Sequence, residues 1–164
     1  MKRILLALNH GFFFFGTTLY VGVLWALHFF WFPSWRSLTA ANYYDQFIPQ
    51  TSTATRFFTV VVPLMFLTGA IMVWREWRTR LRWLPLGALL CLAAATFVGT
   101  RRIIPVNRIL ASHITDQAQV TALLQRWMEL NDIRWVLLTL SWLLLMIYFF
   151  LKGNTLDAIA GETR

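Results

Sequence analysis

Four long runs of apolar residues alternate with polar segments along the chain. The runs cover about residues 11–32, 57–74, 83–100 and 135–151, and none of them contains Lys, Arg, Asp or Glu. A helix needs roughly 17 to 25 apolar residues to cross the hydrocarbon core of a bilayer. The pattern therefore predicts four membrane-spanning helices. We expect one all-α domain over residues 1–164, an integral membrane four-helix bundle.

The polar segment between the third and fourth runs, Arg101–Arg134, has helical periodicity in its second half. At about 100° per residue, Arg126, Trp127 and Arg134 fall on one stripe. Asp116 joins that stripe if the helix reaches back so far. The pattern predicts a short amphipathic helix before the fourth span. Charged side chains on a stripe that faces protein are costly unless they are paired or bind something, so this stripe is the candidate functional region.

Composition supports the membrane class and restricts the partners. The 164 residues are 58% hydrophobic and only 13% charged, whereas ordinary globular chains are about 25% charged. The net charge is +8, but the basic residues cluster beside the spans, at Lys2, Arg3 and the loop Arg75–Arg82. Such clusters set topology and contact anionic lipid headgroups. We expect a lipid bilayer as the partner and no nucleic acid. The single cysteine, Cys91, excludes an intramolecular disulfide.

The positive charges also predict an orientation. The positive-inside rule places the N-terminus and the Arg75–Arg82 loop in the cytoplasm. Four spans then put both termini there, and they put the Arg101–Arg134 segment on the opposite face. The first apolar run is too long for a cleaved signal peptide, so we expect it to be retained as a span. The expected location is a bacterial inner membrane.

Three histidines are candidates for chemistry. His10 and His28 are 18 residues apart, about 27 Å along a helix at 1.5 Å per residue, and cannot share one metal. His28 lies toward the membrane face that carries His113. These two with one carboxylate would suffice for a mononuclear metal site. The available carboxylates are Asp45, Asp116 and Asp132. The alternative is an interfacial His28 and a solvated His113, so the cofactor is unknown: none, or a mononuclear iron or copper.

Pro105 predicts a break in helical structure at the membrane boundary, because the residue before a proline is driven away from helical geometry. Asn107 follows the proline. Its side chain can donate and accept hydrogen bonds, and it either caps the next helix or contacts a ligand.

Arg126 and Arg134 have two interpretations. They pair with Asp45 or Asp116 and lock their helix onto the bundle, or they line a cavity and stabilise an anionic oxygen of a substrate.

The same segment resembles a known family. The run IIPVNRIL, a following aspartate, and RWxxLNxxR before the last apolar segment are similar to the anthrone-oxygenase-like family of small four-helix membrane proteins. The residues that carry the resemblance are Pro105, Asn107, Leu110, Asp116, Arg126, Trp127, Asn131 and Arg134. A few members of that family oxidise anthrones to anthraquinones with molecular oxygen. The resemblance implies that Asn107, Arg126, Trp127, Asn131 and Arg134 are site residues, and it gives no role to His28 or His113.

We therefore expect an oxidoreductase, oxygenase-like, that acts on a lipophilic aromatic substrate of anthrone or quinol type. His28, His113 or Asp116 would take a proton from the substrate. Arg126 and Arg134 would stabilise the resulting anion. The expected substrate-binding residues are Asn107, Trp127 and Asn131. The alternative is a non-catalytic small membrane subunit or assembly factor that packs against partner helices, and a homo-oligomer is open in either case.

Overall fold

A computed structural model describes residues 2–162 of the chain, with side chains for residues 4–153. All regular structure in the described part is helical. Four helices are long and apolar enough to cross a membrane, namely Ile4–Trp35, Tyr43–Arg75, Arg80–Leu110 and Gln117–Gly153. The all-α four-helix bundle is confirmed, and the protein is a multi-pass membrane protein. Each helix extends beyond the predicted span at both ends.

Within residues 2–162 the helices are built from nine consecutive elements. They are α1 (Lys2–Ala26), a π-helical turn (Leu27–Trp31), α2 (Phe32–Trp35), α3 (Tyr43–Arg75), a 3₁₀ turn (Arg80–Arg82), α4 (Trp83–Val98), a second π-helical turn (Gly99–Ile103), α5 (Ile104–Leu110) and α6 (Gln117–Glu162).

Each π-helical turn ends two residues before a proline, Pro33 in the first span and Pro105 in the third. A proline inside a helix has no N–H to donate, and its ring crowds the carbonyl one turn earlier. A π-helical turn widens the helix by one residue and gives the ring room. The expected break at Pro105 is therefore absent. Ile104 keeps helical angles, φ −56° and ψ −43°, and the irregularity is the π-helical turn ahead of the proline.

The polar segment before the fourth span does not form a separate helix. It is the first half of α6, which runs unbroken for 46 residues. That corresponds to about 69 Å at 1.5 Å per residue, roughly twice the 30 Å hydrocarbon core of a bilayer. The short helix before the span is α5 instead. Continuity is physically reasonable because Leu124, Trp127 and Leu130 are all buried and hold this half against the other helices.

The molecule has two hydrophobic cores, one above the other. The membrane core takes buried residues from all four long helices, including Phe13, Met65, Leu92 and Leu145. The second core caps one end of the bundle, beyond the apolar length of α6. It is formed by α2, α5 and the first halves of α3 and α6, with Trp35, Phe47, Leu110, Val120 and Trp127 at its centre. The two cores meet near Leu130 and Leu138 of α6.

Candidate functional site

The segment Asn131–Trp135 of α6 lies where the two cores meet, and both π-helical turns contact it. His28 of the first turn touches Asp132 and Trp135. Gly99 of the second turn lies against Arg134, so that a methyl group on Gly99 would sit 3.7 Å from Arg134 Nε. Single π-helical turns occur frequently at functional sites. This junction is therefore the candidate site.

Inside the bundle, Arg134 is held by two side chains. Its Nη1 donates to Asn131 Oδ1 at 2.7 Å, and its Nη2 donates to the hydroxyl of Tyr20. The guanidinium carbon also lies 5.3 Å from the centre of the Tyr20 ring, which stacks on Phe58. Asn131 is only 1% exposed and donates to the carbonyl of Trp127 at 2.9 Å. The expected placement of Trp127 and Arg134 against protein is confirmed.

On the opposite side of α6, His28 and Asp132 form a close pair. His28 Nδ1 is 2.7 Å from Asp132 Oδ1, and the two side chains are 32% and 42% exposed. The imidazole lies parallel to the Trp135 ring at 4.5 Å, with the edge of Phe29 nearby. An ionised carboxylate can only accept, so Nδ1 carries the hydrogen. The lone pair of Nε2, which bonds no described residue, is then free to act as a base.

Arg126 is not part of this site. Its side chain is 55% exposed and reaches Glu129 of the next turn at 3.4 Å. The prediction that Arg126 faces protein was wrong, and of its two interpretations the pairing with Asp45 or Asp116 is absent, because its partner is Glu129. The buried face of α6 runs instead through Leu124, Trp127 and Asn131, which turns Arg126 outward.

His113 and Asp116 also lie elsewhere. The Asp116 carboxylate accepts the backbone N–H of Ala118 at 2.9 Å and so caps the start of α6, a usual role for Asp at a helix N-terminus. His113 precedes the helix with φ 54°, and its ring stacks on Tyr44 at 3.4 Å. It borders an open cavity of about 200 Å³ together with Asp45. His113 and Asp116 therefore do not converge on a common site with His28.

Trp127 and Asn107 leave polar atoms without partners. Trp127 is 4% exposed and packs edge-on against Phe32, Trp35 and Phe47, so it belongs to the second core. Asn107 lies within α5 and does not cap a following helix. Among the described residues, the buried atoms Asn107 Oδ1, Trp127 Nε1 and Arg134 Nε have no hydrogen-bond partner, and the same holds for Trp135 Nε1, whose residue is outside the resemblance. An orphaned buried polar atom is costly, and the first three belong to residues that carry the family resemblance.

The described residues do not fit the metal site that the histidines allowed. No group of three His, Cys, Asp or Glu side chains between residues 4 and 153 is placed to hold a metal ion. His28 and Asp132 supply two donors, and His113 packs on Tyr44 instead.

A second polar cluster surrounds Glu76, at the other end of the bundle. Glu76 is 4% exposed. It accepts hydrogen bonds from Tyr148 at 3.0 Å, Lys152 at 2.9 Å and Thr79 at 2.7 Å. Burial alone would raise the pKa of Glu76, but the bonds from Lys152, Thr79 and Tyr148 outweigh it and bring the pKa below its ordinary value. Sequence reasoning missed this cluster because Glu76 stands in a loop of exposed arginines.

Tyr20 is the other residue that sequence reasoning missed. Its hydroxyl is the partner of Arg134, although it stands in the apolar first span. The one available signal was a tyrosine well inside a membrane run, where a hydroxyl needs a partner.

Comparison of the chain with protein-family models, with curated proteins and with solved structures finds no match in any of the three. The resemblance to the anthrone-oxygenase-like family therefore stays a prediction.

Proposed function

We propose that the protein is a membrane-embedded oxidoreductase, oxygenase-like, that removes a proton from a lipophilic aromatic substrate of anthrone or quinol type. The observation that carries the proposal is the His28–Asp132 pair at 2.7 Å beside the Trp135 ring. In this proposal the protein spans a bacterial inner membrane with both termini in the cytoplasm, and the pair lies toward the opposite face.

The proposed chemistry begins with His28. Nε2 takes the proton of an acidic C–H or O–H, and the Asp132 carboxylate stabilises the imidazolium that forms, as in other Asp–His pairs. The substrate anion is electron-rich and is oxidised by molecular oxygen. For an anthrone, one O₂ converts the ring CH₂ to a carbonyl and releases one water. The exposed rings of Phe29 and Trp25 face the bilayer beside His28, so a flat apolar substrate can enter from the lipid.

Arg134, Asn131 and Tyr20 act in this proposal as positioning residues. They join α6 to α1 within one helical turn of Asp132, and they thereby fix the approach of His28. The positive charge of Arg134 also lowers the free energy of an anion bound nearby.

The test is oxygen consumption by the purified protein with an anthrone or a quinol, after subtraction of the rate without protein. Loss of a general base costs roughly 10²- to 10⁴-fold, so we expect that loss for His28→Gln and a smaller one for Asp132→Asn. Glu129→Gln removes an exposed carboxylate from the same helix and should leave the rate unchanged. No turnover by the wild-type protein, or equal rates for His28→Gln and wild type, would refute the proposal.

A non-catalytic role as a small membrane subunit or assembly factor is the second candidate. Two observations favour it. Arg134 is held by bonds within the protein, and large aromatic side chains such as Phe30, Trp74 and Trp83 are 62% to 75% exposed. Such a surface packs against partner helices or against a second copy as readily as against lipid. Co-purification of a stoichiometric partner with an inactive wild-type protein would select this role.

A further inference from the structure

The segment that joins α3 to α4, residues 74–83, separates its negative charge from its positive charges. Its one carboxylate, Glu76, is buried and bonded inward to Tyr148 and Lys152 of α6. The other charged residues of the segment are Arg75, Arg78, Arg80 and Arg82. The first three are exposed, and no ion pair joins any of the four to an acidic side chain within residues 4–153. The outer face of this segment, called the basic loop below, is therefore purely cationic in the described part of the chain.

Three tryptophans place the basic loop at the surface of the bilayer. Trp74, Trp77 and Trp83 are each more than half exposed, and they stand where the apolar stretch of α3 ends and that of α4 begins. Tryptophan is enriched at the membrane–water interfaces, where its ring lies at the level of the headgroups. At that depth the nearest anions are the phosphates of lipids.

The side chain of Arg82 is held in place among these rings. Its guanidinium carbon lies 4.8 Å from the centre of the Trp83 ring and 5.6 Å from that of Trp77. Its Nη1 donates to the carbonyl of Trp77 at 3.0 Å, in an exposed hydrogen bond. A guanidinium has five N–H donors, so most of them remain for a planar fork that can pair with two phosphate oxygens at once. Because the fold already orders this side chain, less conformational entropy is lost when a phosphate binds.

We infer that the basic loop binds the headgroup of an anionic phospholipid. Arg82 pairs with the phosphate, the three exposed arginines supply the surrounding positive charge, and the acyl chains lie along the outer surface of α3 and α4. Each basic residue near an anionic membrane surface increases affinity about fivefold. A phosphatidylcholine headgroup is neutral overall, so the loop favours phosphatidylglycerol. The inward position of Glu76 keeps the one carboxylate of the segment away from the phosphate.

The test measures lipid binding by the full chain in dodecyl maltoside micelles, with native mass spectrometry as the readout. The probes are dioleoylphosphatidylglycerol and dioleoylphosphatidylcholine, and we expect phosphatidylglycerol to bind at least tenfold more tightly. A triple variant with the same expected loss, at least tenfold for phosphatidylglycerol, is Arg75→Gln/Arg78→Gln/Arg80→Gln. The matched control, which should bind like wild type, is Arg36→Gln/Arg108→Gln/Arg126→Gln. It removes the same charge from three exposed arginines that are scattered over the opposite end of the bundle. Circular dichroism should show wild-type helix content for both variants, because all six side chains are exposed.

The role of Arg82 and the source of the phosphate are tested separately. Arg82→Lys keeps the charge but loses the planar fork, and it should weaken the binding of phosphatidylglycerol about threefold or more. Glycerol 3-phosphate carries a phosphate without acyl chains, and it should not displace the lipid. Equal binding of phosphatidylglycerol by the two triple variants, or equal binding of both lipids by wild type, would overturn the site. Displacement by glycerol 3-phosphate would assign the loop to a soluble phosphate instead, and unchanged binding by Arg82→Lys would overturn the contact with Arg82.

Discussion

Replacing Glu76 tests whether the buried carboxylate holds the end of the bundle together. Glu76 joins the loop after α3 to the last turns of α6 through Tyr148 and Lys152. Glu76→Gln keeps the shape of the side chain and removes its charge. The neutral amide still offers one oxygen to Tyr148, but it is a weaker acceptor and leaves Lys152 without a charged partner.

The magnitude follows from the exposure of each partner. The Tyr148 hydroxyl is buried in a residue that is 1% exposed, and a hydrogen bond to a charged group contributes about 1.5 to 3 kcal/mol. The Lys152 side chain is 37% exposed, so its ion pair contributes about 1 kcal/mol or less. We expect Glu76→Gln to lower the free energy of unfolding by about 2 kcal/mol, and Lys152→Ala by about 1 kcal/mol or less.

The assay is reversible unfolding in mixed micelles of a mild detergent and dodecyl sulfate, followed by tryptophan fluorescence. Glu129→Gln is the matched control, because that carboxylate is 52% exposed and its partners, Arg126 and Gln125, are exposed side chains of the same helix. It should change stability by about 0.5 kcal/mol or less. If Glu76→Gln costs no more than Glu129→Gln, the buried cluster does not stabilise the bundle and the reasoning fails.

Three further predictions concern stability. The pKa of Glu76 is lowered from 4.5, so its contribution to the free energy of unfolding should be complete above pH 4.5 and be lost as the pH falls through the lowered pKa. The free energies of unfolding of wild type and Glu76→Gln, measured against pH, should therefore converge in acid. Gly69→Ala would place a methyl carbon 3.0 Å from the buried ring of Phe13 and should lower the free energy of unfolding by about 1 to 3 kcal/mol. Gly22→Ala is the control, because an added Cβ there meets nothing within 4 Å, and it should not destabilise the protein. Equal melting temperatures for the two variants would contradict this prediction. The Tyr43 hydroxyl donates to the carbonyl of residue 110 and accepts the N–H of residue 114. Tyr43→Phe should therefore cost about 1 to 3 kcal/mol in the same assay, and Tyr44→Phe distinctly less.

The number and type of helices could be predicted because the length of an apolar run is a local property. The cap could not. Its core brings Trp35, Phe47 and Trp127 together from three helices, and the continuation of α6 through polar residues depends on that packing. The polar segment that was predicted to form a separate amphipathic helix is therefore the first half of a continuous helix, α6.

The candidate site was predictable only in part. Helical periodicity correctly placed Trp127 and Arg134 against protein, but the predicted stripe also included Arg126, which faces outward. His28 was a candidate because it lies toward the same membrane face as His113. Its partner, Asp132, could not be singled out, because the sequence offered three carboxylates. Glu76 gave no signal, because its burial requires Tyr148, 72 residues away.

The second π-helical turn decides which residues of the third span face the core. Ala95 is fully buried, and in an uninterrupted α-helix Arg102, seven residues later, would point within about 20° of the same direction, with Ile103 about 80° away. The structure has the reverse: Ile103 is 4% exposed and Arg102 faces outward. The extra residue in the turn thus shifts the helical register by one position, so that Ile103 faces the core in place of Arg102. If the turn became α-helical at unchanged length, Arg102 would point toward the core, whereas a chain one residue shorter would place Ile103 seven residues after Ala95 and keep Ile103 in the core. The π-helical turn therefore accommodates one extra residue without turning an arginine inward.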